Sequence, residues 1–278
     1  MSRKSDNSKK MLSQIESKLI CPICHEKIFL EFNSIKCINN HNFDISNKGT
    51  VVLYKTSKLK INKIYTTKLF NSRRKYISYG FYDNIHKYIA EIIDEYNNCL
   101  IVDMGVGEGI HDISIKKYLK NNCTFVGVDL AKEGIDLSND YNNYNYIGIV
   151  ADLNNLPLKS KTVDVILNIL SPSNEKEIER VLKDNGIIIK VTPKKEYLQE
   201  LRKALNIKDY ENENVIDENI SLKYDIISKK EFTSTYKLNQ DQLTDLVNMT
   251  PLMNNINIIP KIEEITIALN VYVLKVRK

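Results

Sequence analysis

At 278 residues, with 42% hydrophobic and 27% charged side chains, the chain has the composition of an ordinary globular protein, long enough for one large domain plus a small module. No run approaches about 18 uninterrupted apolar residues, so no transmembrane helix is expected. The opening Met1-Ser2-Arg3-Lys4-Ser5-Asp6 lacks the apolar centre of a secretory signal. Five cysteines, three of them in one short window with a histidine, point to metal binding in a reducing compartment, so cytoplasm is expected.

Residues 1–18 read as a polar, poorly ordered tail. Residues 19–54 then form a small module around Cys21-x2-Cys24-x12-Cys37-x3-His41. Two chelating turns with three thiols and an imidazole supply the four tetrahedral ligands of Zn²⁺. With no position left open the ion is expected to be structural. His25 directly follows Cys24 and is a rival ligand, but His41 has the better spacing. Strand-like runs follow at Asn42–Ile45 and Thr50–Tyr54, around Gly49.

Residues 55–80 read as a basic connector. From Lys55 to Lys75 no Asp or Glu interrupts eight lysines and arginines, and Tyr65, Phe70, Tyr76 and Tyr79 lie in or just after the run. Basic side chains neutralise phosphates and aromatic faces stack unpaired bases. A solvated linker would have the same composition. Arg73, Arg74 and Lys75 are the candidate RNA contacts.

Residues 81–278 read as the main domain. Ile85, Tyr88, Ile89, Ile92 and Ile93 recur at helical spacing between Phe81 and Glu95. Strands are expected at 100–103, 124–129, 144–151, 163–168 and 187–191. Helices fall between them, including 109–119 and 175–183, the latter closed by Asn185-Gly186. Cys99 and Cys123 flank strands and are expected as small buried hydrophobes. The stretch 209–239 is polar and carries no assignment beyond an insertion or lid, while 262–276 suits a final antiparallel strand. This alternation predicts an α/β fold with a largely parallel sheet covered on both faces.

The chemistry-bearing segment is Asp103-Met104-Gly105-Val106-Gly107-Glu108-Gly109, where the first strand turns into a helix. A dinucleotide loop would place its third glycine at position 110, which is Ile110 here. The spacing instead favours S-adenosylmethionine (SAM), whose cationic sulfonium and ammonium suit carboxylates such as Asp103. Asp129, followed by Leu130, closes the second strand and is placed to accept the ribose hydroxyls. Asp152, followed by Leu153, ends the third and is placed for the adenine amino group. Three acids at three successive strand ends lie on the edge where such sheets bind ligands.

These blocks together resemble the bacterial 23S ribosomal RNA (guanine-N1)-methyltransferases, a family that includes macrolide-resistance enzymes. Cys21-Pro22-Ile23-Cys24 through Cys37, His41-Asn42-Phe43-Asp44 and Lys48-Gly49 look like its zinc module. Ser72-Arg73-Arg74-Lys75-Tyr76, Gly80-Phe81-Tyr82, Asn168-Ile169-Leu170-Ser171-Pro172, Val191-Thr192-Pro193 and Met249-Thr250-Pro251 follow in the family's order.

The resemblance implies a Rossmann-like SAM-dependent methyltransferase domain with an N-terminal zinc-binding module that helps recognise a 23S rRNA hairpin. It also implies methylation at N1 of one guanine, and a homodimer whose paired modules hold the RNA. Tyr82, Gly109, Ile110 and Tyr197 match positions where the family contacts SAM, and Asn168 and Ser171 are candidates for lining the target pocket. The chain departs from the family at Val106, usually Cys, at Tyr197, usually His, and in lacking Trp. No general base is identified. A zinc-bearing methyltransferase of small molecules, or an inactive RNA-binding homologue, would share the same cofactor loop.

Overall fold

The computed structural model describes residues 4–55, 64–207, 213–250 and 260–277. Lys58, Lys60 and Lys63 of the basic run, and Pro251 of the Met-Thr-Pro segment, lie outside them.

The expected polar tail is instead an amphipathic helix, α1 (Lys4–Ile15), with Ser8, Met11, Leu12 and Ile15 buried. Its polarity is that of the outer face. Inward, the one-turn spacing of Met11, Leu12 and Ile15 gives an apolar stripe, and Asn142 Nδ2 donates to Lys4 O at 2.7 Å and Ser8 Oγ at 2.8 Å. Next come a three-stranded antiparallel sheet, β1 (Ile28–Glu31), β2 (Ser34–Cys37) and β3 (Asn42–Asp44), and the short strand β4 (Val51–Val52).

The connector ends in a helix, α2 (Thr67–Ser78), capped by the Thr66 side chain accepting from Leu69 N–H at 3.2 Å. Helix α3 (Asp83–Ile93) buries Ile85, His86, Ile89, Ala90 and Ile93 along one face. The remaining elements are β5 (Leu100–Met104), α4 (Ile110–Lys116), β6 (Thr124–Asp129), α5 (Lys132–Ser138), β7 (Tyr146–Val150), β8 (Val163–Ile169), α6 (Glu175–Val181), β9 (Leu182–Pro193), α7 (Gln199–Ala204), α8 (Glu213–Lys223), β10 (Tyr224–Lys237), α9 (Gln240–Met249) and β11 (Glu264–Val276).

Eight strands form one sheet in the order β10-β11-β9-β8-β5-β6-β7-β4. Strands β4 to β9 of this sheet run parallel, and β11 enters antiparallel beside β9 with Val271 opposite Val191. The order reverses at β5, where the chain crosses from one half of the sheet to the other, so its carboxyl end opens a crevice.

Two corrections to the expected elements have local causes. The helix at 175–183 stops at Val181 because Leu182 pairs with Val163, and a bulge carries Asn185 and Gly186 within β9. The unassigned polar stretch supplies α8 and the edge strand β10, which pairs along its length with β11. Its polar outward pattern is that of an edge with one wet face, held by Lys194–Glu231 and Lys229–Asp217 pairs at 2.5 and 2.7 Å.

The sheet is covered on both faces. On one side α3, α4, α7 and α9 contribute to a core with Ile101, Leu167 and Ile189. On the other, α1, the zinc module and α6 share a core with Val102, Ile166 and Ile188. The zinc module is thus continuous with the main body. Ile20 N–H donates to Pro157 O at 3.1 Å, Asn155 Nδ2 to Pro22 O at 2.8 Å, and β4 extends the large sheet beside β7. Cys99 and Cys123 are buried as expected, and they are joined to each other as a disulfide.

Candidate active site and zinc centre

At the first knuckle His25 N–H donates to Cys21 O, and at the second Asn40 N–H donates to Cys37 O, both at 2.9 Å. These turns bring Cys21, Cys24, Cys37 and His41 together with their ligand atoms within 4.8 Å of one another. The His41 Nδ1 atom stands 3.5 Å from Cys21 Sγ and 3.4 Å from Cys24 Sγ. Burial pushes the Cys21 thiol up to about 11, whereas the Glu26 backbone N–H draws Cys24 down to about 6. A cation's charge is what holds the buried thiol as thiolate, and three sulfurs with one imidazole fit Zn²⁺. The rival His25 is exposed and outside this cluster.

The cofactor turn leaves β5 through Gly105, whose φ of 89° is open to glycine, and a Cβ there would fall 2.6 Å from Ser171 Cβ. At Gly109 (φ 75°) a Cβ would meet the Tyr146 hydroxyl at 2.8 Å. Asp129 braces the turn from the end of β6. Its Oδ2 accepts from Gly107 N–H and its Oδ1 from Ala131 N–H, both at 2.8 Å. Burial raises its pKa against those two donors.

A cleft of about 630 Å³ opens beside this turn, lined among others by Tyr82, Asp103, Gly105, Ser171 and Tyr197. The hydroxyls of Tyr82 and Tyr197 meet at 2.9 Å. Asp103 is 3% exposed and its Oδ1 has no hydrogen-bond partner among the described residues. Burial, then the neighbouring Asp112, pushes its pKa well up; burial also carries Asp112 to about 7. Glu108 is 1% exposed, raised to about 7 by burial, and stands 3.5 Å from Arg73 Nη1. Carboxyls held so far above their usual range, with unmet oxygens, suit a ligand that brings positive charge. A sulfonium-bearing amino acid nucleoside is such a ligand.

The other expected residues separate. Ile110 is buried behind the turn, and Leu130 is 43% exposed beside Asp129. Asp152 turns away from the cleft: its Oδ1 accepts from Asn154 N–H at 2.8 Å, and it lines a separate hollow with His25 and Tyr54. Leu153 packs against the zinc-side core. Asn168 and Ser171 do meet, with Asn168 Nδ2 donating to Ser171 Oγ at 2.7 Å and to Met104 O at 3.2 Å.

Of the basic trio, only Lys75 is exposed. Arg73 reaches into the cleft beside Glu108. Arg74 is folded against the body, donating to Asp140 Oδ2 and Leu137 O at 2.7 Å. Sequence reasoning missed Glu108 and His111 as cleft residues. Glu108 stood inside the glycine turn, and that position was its signal. His111 had none, because its place depends on His86, whose Nε2 lies 2.9 Å from His111 Nδ1.

A glycine turn and buried carboxyls at the reversal point of this sheet, with an attached Cys3His cluster, define a SAM-dependent methyltransferase carrying a zinc ribbon. A zinc-ribbon model described as "RlmA, N-terminal" matches residues 19–58, and a methyltransferase-domain model matches 101–186. The chain is 35% identical over 194 residues to a Bacillus subtilis (strain 168) protein, covering 66% of this chain and 67% of that one, provisionally named a 23S rRNA (guanine-N1)-methyltransferase. It is 24% identical to the 23S rRNA (guanine(748)-N1)-methyltransferase of Streptomyces fradiae, over 93% of this chain and 96% of that one. A provisionally named Micromonospora griseorubida relative is 26% identical, over 68% and 70% of the two chains. The chain belongs to the 23S rRNA (guanine-N1)-methyltransferase family.

Proposed function

We propose that the protein transfers the methyl group of SAM to N1 of a guanine in a hairpin loop of 23S rRNA, in the cytoplasm. The observation that carries this reading is the likeness to the S. fradiae enzyme, which runs through zinc ribbon and cofactor domain over 93% of the chain. Asp103 and Glu108 supply the negative surroundings for the donor's amino acid end, Tyr82 and Tyr197 form its wall, and Asp129 takes the ribose hydroxyls. SAM supplies a methyl group already activated for displacement.

Positioning is the main contribution left to the protein. The acceptor guanine must be unpaired or flipped to reach the cleft. Asn168 and Ser171 line its place, and Lys75, exposed on α2, takes a backbone phosphate. The zinc ribbon grips the hairpin, and a second copy of the chain completes the RNA-holding cleft. The test is methyl transfer from labelled SAM to unmodified 23S rRNA, followed by mapping. Label at N1 of one loop guanine is expected; transfer to a small metabolite but not to RNA would overturn the reading.

A further inference from the structure

Lys190 interrupts the most apolar stretch of the interior strand β9, between Ile187-Ile188-Ile189 and Val191. A charge so placed costs desolvation unless something compensates it. Its protein partners are neutral: Nζ donates to Asn168 Oδ1 at 2.5 Å and to Ser173 Oγ at 3.4 Å. An ammonium has three protons, so among the described residues one remains for a ligand. Two residues on, and so on the same face of the strand, Thr192 is 6% exposed and its Oγ1 has no hydrogen-bond partner among the described residues. Lys190 and Thr192 both line the cleft that holds Asp103 and Gly105.

The cleft therefore has two electrostatic halves. Asp103 at the end of β5 and Glu108 in the turn after it, with Arg73 beside Glu108, stand where a cationic methyl donor belongs. A lone ammonium and an unmet hydroxyl stand on β9, beside Asn168 and Ser171. Guanine N1 is a poor nucleophile while it holds its proton, and once it loses that proton the negative charge spreads onto O6.

We propose that Lys190 is a catalytic residue of the acceptor half, its ammonium donating to O6 of the target guanine and stabilising the charge that forms there as N1 deprotonates. This rests on the guanine-N1 reading above. In the step, the N1–H bond breaks and its proton passes to water in the open cleft. The N1 electron pair forms the bond to the methyl carbon, and the carbon–sulfur bond breaks with its pair returning to sulfur. Lys190 keeps its protons throughout.

Among the described residues, Lys190 shares the cleft with Asp103, Glu108, Arg73 and His111. Glu175 of α6, Lys223 of α8 and Tyr224 of β10 line the hollow behind it, and Glu175 Oε1 is already taken by Lys223 Nζ at 2.5 Å. Tyr272 lies opposite on β11, with its hydroxyl given to Asp217. Burial lowers the lysine's pKa, partly opposed by Glu175.

The test is single-turnover methylation of unmodified 23S rRNA at saturating SAM, followed across pH, with SAM affinity measured alongside. At neutral pH Lys190→Gln, and Lys190→Met as a second neutral variant whose apolar stem suits the strand, are expected to be slower by roughly 100-fold, the usual loss for one donor to a developing oxyanion. Their rates should recover as rising pH deprotonates N1 without help, while SAM affinity is unchanged. Lys190→Arg should restore most of the rate and the wild-type profile. Neutral variants that keep the wild-type rate and profile, or that lose activity equally at every pH together with SAM affinity, would overturn the role of Lys190 alone. Wild-type methylation mapped to an atom other than guanine N1 would overturn the underlying reading as well, since no N1 proton would then leave.

Discussion

The hydroxyl of Tyr82, at the start of α3, meets the hydroxyl of Tyr197, just past β9, at 2.9 Å inside the cofactor cleft. The two residues are 115 positions apart, and both are buried. Removing either hydroxyl breaks this buried contact. Tyr82→Phe or Tyr197→Phe alone is expected to cost about 1–3 kcal/mol of stability, and the double variant less than the sum. A double-mutant cycle in urea checks this; additive losses would show that the two hydroxyls do not act as a pair.

Glu108 gives the unliganded protein a pH dependence of known sign. Its folded pKa, about 7, lies above the ordinary 4.5, so its stabilising contribution is full below 4.5 and is lost as pH rises through 7. Thermal stability is expected to fall from about pH 4.5 to about pH 7, on the order of 1 kcal/mol per pH unit for one such group. SAM affinity should move the other way, because a cationic ligand favours the ionised carboxylate. Glu108→Gln should make both slopes shallower, leaving the share of Asp103 and Asp112, whose pKa values are also raised, and calorimetry across that range reads the difference.

Arg74 and Lys75 are adjacent in sequence, but Arg74 is folded against Asp140 and Lys75 is exposed. Arg74→Ala removes the guanidinium from Asp140 and Leu137 O and is expected to cost about 1–3 kcal/mol in chemical unfolding. Lys75→Ala should leave unfolding unchanged and lower RNA affinity, reducing the salt-dependence slope of binding by about one. An RNA defect in Arg74→Ala without a stability loss would reverse this division.

Cys37→Ser removes one of the four zinc ligands and is expected to abolish stoichiometric zinc, read by metal analysis. Because the ribbon shares a core with the large sheet, thermal unfolding should also shift downward by several degrees. SAM binding should persist, since Asp103 and Asp129 end β5 and β6 and Gly105 opens the turn after β5, away from the knuckles. Loss of SAM binding in a variant that stays folded would instead couple the two sites.

What the sequence alone determined is local. The cysteine and histidine spacing fixes a chelating pair of turns, the glycines mark a backbone that needs positive φ, and the apolar runs place β5, β6 and β8 within a residue or two. The family's order of motifs could be read for the same reason, since each motif is a short contiguous stretch. Residues whose roles depend on what lies across space were not legible. Polar α1 looked like a tail because its stripe is narrow and its partner Asn142 lies far along the chain. Strand β10 looked like an insertion because an edge strand with one wet face carries little apolar signal. Arg74 stands beside Asp140, and Asp152 lies in a hollow separate from the cleft, where it accepts from Asn154 N–H; neither placement is written in the local sequence. Lys190 was one lysine among many, and only the tertiary structure set its ammonium in an interior strand beside neutral oxygens, where desolvation makes its charge costly and available to a ligand.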